Sequence, residues 1–282
     1  MGHGVQGDVY TPPLECASGS NARWHGEGYV AKLMDAEEAR NEYKNSFLIR
    51  QLDPDGMWSI HAEQACEISS SQPNANYTNS PEKRTQLIFR NGGKSLLDYL
   101  IQNGGDSDKL VFYLQGIDEG GDPDPQAFDY LNYSHLGTIL SVVKRLLPAL
   151  DILNSQYTHN DLHLGNIVYD GHTPRLIDFS SLAPVEKSIS FEMGHWTELG
   201  ISKLAKGHPW QEYLISEATA DKIRSNDVAH LFKSIYMILA SKWIRDVSSG
   251  RFRGWVDRYS NWVEKLHFRS DFKIAIMELP DL

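Results

Sequence analysis

The chain has 282 residues, enough for one large domain or two lobes with a sizeable core. Lys and Arg number 27 against 37 Asp and Glu, a net charge of −10, which speaks against non-specific nucleic-acid binding because that needs basic surface. Hydrophobic residues make up 41% and charged residues 23%, an ordinary globular balance, and no apolar run approaches the ~20 residues that span a bilayer.

The N-terminus lacks the basic flank and apolar core of a signal peptide, so a soluble intracellular protein with no membrane partner is expected. The two cysteines, Cys16 and Cys66, match no metal-ligand spacing. A disulfide between them cannot be read from sequence, and two thiols fit a reducing compartment.

The first hundred residues read as short strands with one helix among them. At the start, Gly2-His3-Gly4-Val5-Gln6-Gly7-Asp8-Val9-Tyr10 is glycine-rich, and glycines let a backbone approach phosphates without a colliding Cβ. There is no room for a strand ahead of these glycines, and Val9-Tyr10 continues as a strand toward Pro12-Pro13. That disfavours a dinucleotide-binding turn, which follows a strand and opens a helix. Tyr29 to Met34 reads as a strand, with Asp35 capping a helix whose first turn holds Glu37 and Glu38. Lys32 near the end of that strand suits an ammonium placed over phosphates, with Glu42 as its ion-pair partner and Glu38 as the alternative. Ser69 to Pro81 is a polar loop, Gln86 to Phe89 a short strand, and Asn91-Gly92-Gly93 a turn.

Gly116 to Pro125 reads as an acidic surface insertion. From Leu136 to Leu153, apolar residues recur at helical spacing, with a kink or break expected near Arg145 because of Pro148. Val228 to Trp243 is a second amphipathic stretch. The pattern is α+β: a small β-rich lobe and a larger helical lobe, with the boundary near Arg90 to Gly93.

Two further constellations carry chemistry. In Tyr157-Thr158-His159-Asn160-Asp161-Leu162-His163-Leu164-Gly165-Asn166, Asp161 can accept the proton of an attacking hydroxyl, and the Asn166 amide oxygen can meet a metal ion. In Leu176-Ile177-Asp178-Phe179-Ser180, an apolar strand delivers one carboxylate suited to Mg²⁺. The turn Tyr169 to Pro174 joins them, and both Asn166 and Asp178 offer hard oxygen ligands. Zinc is a poor rival, because the 11 histidines show no ligand spacing with the cysteines.

The order of these segments resembles the protein kinase-like superfamily, from Gly2 to at least Asp178. "HNDLHLGN" is similar to the kinase catalytic loop, and "DFS" stands where protein kinases carry Asp-Phe-Gly. The resemblance implies a bilobal protein kinase-like fold, with an antiparallel β-rich N-terminal lobe over residues 1–90 and a helical C-terminal lobe over 91–282. It implies ATP and Mg²⁺, with Asp161 as catalytic base and Asn166 and Asp178 holding the metal. Lys32 would bind the phosphates with Glu42 holding it extended by an ion pair, and Gly2, Gly4, Val5, Gly7 and Val9 would cover the nucleotide. Arg90, Asn91 and Gly92 would form an adenine-binding hinge, and Asp227 would anchor the catalytic loop from below.

"DLHLGN" is similar to aminoglycoside and choline kinases, whereas "GDVYTPPLEC", "YVAKLM" and "NGGKSLLDYL" resemble serine/threonine protein kinases of large DNA viruses. The expected activity is γ-phosphoryl transfer to a Ser or Thr hydroxyl of a protein, a basic one if the acidic insertion attracts it. A cytoplasmic location is expected, in the host cell or virion if the source is viral. The alternatives are a small-molecule kinase and a nucleotide-binding scaffold without activity. Asn160 replaces an arginine that in many protein kinases grips a phosphorylated loop, so activity is expected to survive phosphatase treatment. Ser180 in place of glycine is expected to disfavour a flipped inactive segment. Of an Ala-Pro-Glu motif only His208-Pro209-Trp210-Gln211-Glu212 offers a trace.

Overall fold

The computed structural model describes residues 2–4, 7–19, 22–24, 26, 28–69, 85–101, 131–185, 227–228, 254–266 and 272–279, with eight further positions between 231 and 246. The expected loop from Ser69 onward (beyond its first residue), the acidic insertion, Ser188, Ser190, Thr197 and the His208–Glu212 stretch lie outside the described residues. The elements are β1 (Gly2–Gly4), β2 (Gly7–Tyr10), β3 (Tyr29–Met34), α1 (Ala36–Leu52), β4 (Gln64–Glu67), β5 (Thr85–Arg90), β6 (Lys94–Ser95) and α2 (Leu96–Leu100). They continue with α3 (Leu136–Asn154), β7 (Tyr157–Thr158), β8 (Ile167–Tyr169), β9 (Pro174–Leu176), β10 (Ala183–Pro184), α4 (Trp255–Leu266) and α5 (Phe272–Met277). The protein is therefore mixed α and β, with antiparallel pairing in its main sheet. Among the described residues, no helix is long and apolar enough to cross a membrane.

The chain divides into two compact units, Met1–Gly93 with Val168–Leu182, and Lys94–Ile167 with Ala183–Leu282. In the first unit a five-stranded sheet runs in the order β1-β2-β3-β5-β4. The N-terminal glycines form a strand of their own: Gly2 pairs with Val9 and Gly4 with Gly7. The following strand ends at Tyr10 rather than running on toward the prolines. Val9 and Leu87 lie opposite Lys32 on either side.

Asp35 caps α1, its carboxylate accepting the Glu37 and Glu38 N–H groups at 2.8 Å each. At the other end of α1, Asp53 is buried and accepts from the N–H groups of Met57, Trp58 and Ser59 and from the Ser59 hydroxyl, all within 2.9 Å. One sheet face packs Met34 and Leu87 against Ala39 of α1 and Ala62. Each fully buried Leu or Met contributes about 1.5–3 kcal/mol. Gln86, equally buried, donates to the Leu14 carbonyl at 2.7 Å and accepts its N–H at 3.1 Å, so the polar group is paid back. Cys16 and Cys66, left open by the sequence, are joined in a disulfide.

In the second unit α3 buries Leu136, Ile139, Leu140, Val143, Leu146, Leu147, Leu150 and Leu153 along one stripe. The expected break does not occur; α3 is continuous through Pro148. Proline forfeits one bond to the carbonyl four residues back. Pro148 faces solvent, while Leu146, Leu147, Ala149 and Leu150 are buried around it and hold the helix together. Between 227 and 246 the described positions are helical, and Val228, Leu231, Phe232, Ile235, Ile238 and Leu239 are buried.

Candidate functional site

In the first unit, β3 delivers Lys32, α1 delivers Glu42 and the segment after β9 delivers Asp178. Lys32 Nζ lies 2.8 Å from Glu42 Oε2 and 2.9 Å from Asp178 Oδ2. Burial alone would lower the Lys32 pKa, but the Asp178 and Glu42 carboxylates outweigh it and hold the lysine above its ordinary value. For Glu42, burial dominates: despite the Lys32 ammonium, its carboxyl is pushed up to about 7, with Asp178 adding repulsion.

Asp178 has φ of +61° and Asn160 φ of +60°; among the described residues these are the two non-glycines in the left-handed region. Such backbone costs of order 1 kcal/mol or more and persists only where surroundings enforce it, often at functional sites.

The turn expected at Asn91-Gly92-Gly93 depends on its glycines. A Cβ on Gly92 would stand 2.3 Å from the Ile60 side chain and 2.4 Å from that of Val168, and Gly93 has φ of +91°. The Asn91 N–H donates to the Gly28 carbonyl at 2.9 Å, and the Gly93 N–H to Asn91 Oδ1 at 3.0 Å. The Asn91 N–H is therefore engaged within the protein, and Arg90 closes the β3–β5 ladder opposite Tyr29. Of the glycine-rich segment, Gly2, Gly4, Gly7 and Val9 form the β1–β2 hairpin; Val5 lies outside the described residues.

In the second unit, the loop after β7 presents Asp161 and Asn166. The Asn166 amide donates to the Asp161 carbonyl at 2.8 Å and reaches Asp161 Oδ2 at 3.3 Å. With its N–H groups turned to Asp161, the oxygen of this amide is the end a cation would meet. His163 accepts the Gly165 N–H on Nδ1 at 3.0 Å, capping the 3₁₀ turn Leu164–Asn166 that carries the amide. A Cβ at Gly165 would lie 2.6 Å from that imidazole, so a side chain there would push the ring out of its cap.

Asp227 is buried beneath this loop. Its Oδ2 accepts from the His159 N–H at 2.9 Å and from Asn154 Nδ2 at 2.6 Å, and its Oδ1 from the Asn160 N–H at 3.2 Å. The left-handed Asn160 is thus tied down through its own amide.

The structure brings together Lys32, Glu42 and Asp178 in one unit, and Asp161, Asn166 and Asp227 in the other. Sequence reasoning missed Asn45, whose side-chain amide reaches the carbonyls of Phe179 and Ser180. A polar residue at i+3 from the candidate glutamate was its one signal. Among the described residues no three or more His, Cys, Asp or Glu side chains gather as a metal cluster. Mg²⁺ held by a carboxylate, an amide and phosphates would need no such cluster. No protein-family model matches the chain, and no curated protein matches it in sequence.

Proposed function

We propose that the protein is an ATP-dependent phosphotransferase of bilobal protein kinase-like fold, moving the γ-phosphoryl group to a Ser or Thr hydroxyl of a protein. The observation that carries this reading is the Lys32 ammonium held at hydrogen-bond distance by both Glu42 and Asp178. As a purely structural device, a largely buried cluster of one cation and two carboxylates is poorly suited, because desolvation offsets most of the attraction. As a phosphate site it is well suited: Glu42 extends the lysine, and the ammonium meets the α- and β-phosphates.

Asp161 takes up the proton of the attacking hydroxyl, and Asn166 holds the Asp161 backbone in place. Asp178 and Asn166 each carry a hard oxygen of the kind magnesium takes and would be the residues that hold it, the ion supplying charge neutralisation of the phosphates. The β1–β2 hairpin would lie over the phosphates, and the Arg90–Gly92 backbone would meet the adenine.

The test is transfer of label from γ-labelled ATP with Mg²⁺ to a panel of basic and acidic proteins, with aminoglycosides and choline in parallel. Protein labelling that falls about 10²–10⁴-fold in Asp161→Asn supports the proposal. Labelling of a small molecule alone replaces it with a small-molecule kinase. ATP binding without transfer leaves a scaffold.

A further inference from the structure

Three residues beyond Glu42, and so on the same face of α1, stands Asn45. Its Nδ2 donates to the Phe179 carbonyl at 2.8 Å and to the Ser180 carbonyl at 3.2 Å, across 134 and 135 residues of sequence. Within the Asp178–Ser180 turn itself, the Ser180 N–H reaches Asp178 Oδ1 only at 3.4 Å, a weak bond. The left-handed φ of Asp178 persists only where surrounding structure enforces it.

We infer that Asn45 is a positioning residue that clamps the two carbonyls just past Asp178 to α1 and so sets the Asp178 carboxylate at Lys32. One helix face then carries both halves of the arrangement. Glu42 holds the lysine directly, and Asn45 holds the chain that bears the lysine's second carboxylate. The side-chain type fits the task, since carbonyls only accept and an asparagine amide brings two N–H donors on a short stem. Aspartate has the same shape without the donors, and would set its oxygens against two carbonyl oxygens.

The kinetic consequence rests on the phosphotransferase reading; the structural consequence does not. Two variants of the full chain test it, Asn45→Asp and Asn45→Leu, the latter a better helix former that preserves α1. Amide hydrogen exchange followed by mass spectrometry reads the clamp. Both variants are expected to exchange about tenfold faster over Ile177–Leu182, the order expected for one or two lost hydrogen bonds, with exchange in α1 unchanged.

In the kinase assay kcat should fall about tenfold while KM for the acceptor stays as in the wild type, because acceptor binding is untouched. Unchanged exchange over Ile177–Leu182 overturns the inference. Acceleration spread equally through α1 overturns it too, since that marks a general packing role. Faster local exchange with undiminished kcat in an active enzyme refutes the positioning role. If the wild type transfers no phosphoryl group to any acceptor, the kinase reading fails, and exchange alone still decides the clamp.

Discussion

Lys32 and Asp178 are 146 residues apart in the chain, and their charged groups meet at 2.9 Å. The same ammonium bonds Glu42 at 2.8 Å, so one positive charge stands between two negative ones at a site with little access to water. The surplus negative charge is relieved in one of two ways: a further cation arrives, or a carboxylate takes a proton. The second route falls to Glu42, the more deeply buried of the two, whose side chain is 3% exposed against 18% for Asp178.

A pH dependence follows. Glu42 has its pKa raised from 4.5 to about 7 in the folded protein, so folding takes up a proton between those values. The sign is that of a raised group: its contribution to stability is complete below about pH 4.5 and is lost as pH rises through about 7. Carbon-detected NMR titration of the Glu42 carboxyl should give a midpoint near 7. A midpoint near 4.5 would show that burial does not govern this group. Only ionised Glu42 holds Lys32 extended by an ion pair, so on the phosphotransferase reading kcat/KM should rise as pH passes upward through this range. Glu42→Gln should remove that inflection.

The elements around this cluster were open to sequence reading where local chemistry dictates them. An apolar run ending in Lys32, an aspartate before Glu37 and Glu38, and an apolar run leading to Asp178 each state their own local structure. The Asn91-Gly92-Gly93 turn is equally explicit, since two of its positions exclude a side chain. What stayed hidden depends on partners that sequence does not display. Asn45, Asp53 and Gln86 all bond backbone groups, and a backbone carbonyl or amide has no letter of its own. Pro148 misled for a related reason: its cost is local, while the burial of Leu146, Leu147 and Leu150 that offsets it is tertiary. The left-handed turns at Asn160 and Asp178 are likewise enforced from outside, by Asp227 in the first case and through the neighbouring carbonyls in the second.

Asp227 should be the least replaceable side chain beneath the candidate catalytic loop. Its two oxygens accept three hydrogen bonds, and the residue is 1% exposed. Asp227→Ala removes the acceptor of all three bonds, at a cost of about 3 kcal/mol given that the lost bonds are to a charged group. Asp227→Asn keeps the shape but turns an NH₂ toward one of three donors, for about 2 kcal/mol. Urea unfolding measures both. A change below about 0.5 kcal/mol in the alanine variant would show that water replaces the carboxylate. On the phosphotransferase reading, the asparagine variant should lose activity at temperatures where it is still folded, because Asn160 sits next to Asp161 and its left-handed turn aims that residue.

The Cys16–Cys66 disulfide gives a test independent of any activity. It spans 50 residues, and chain-entropy arguments assign a loop of that length about 4 kcal/mol of destabilisation of the unfolded state. Backbone bonds run beside it: the Ala17 N–H donates to the Glu67 carbonyl and the Ser69 N–H to the Glu15 carbonyl, each at 2.8 Å. Those bonds keep the strand edge in place after reduction, so the folded state should survive loss of the crosslink with little rearrangement. The cost then falls on the unfolded side, where the released loop regains its freedom. Protein denatured without reductant should show no reactive thiol, and two after reduction. Cys16→Ser with Cys66→Ser should lower unfolding stability by about 3–4 kcal/mol while leaving Lys32, Glu42 and Asp178 in place. Two thiols titrating in the unreduced, denatured chain would mean that the pair is not bonded. The sheet edge would then rest on the backbone bonds and the packing of Trp24 and Ile88 against Cys16.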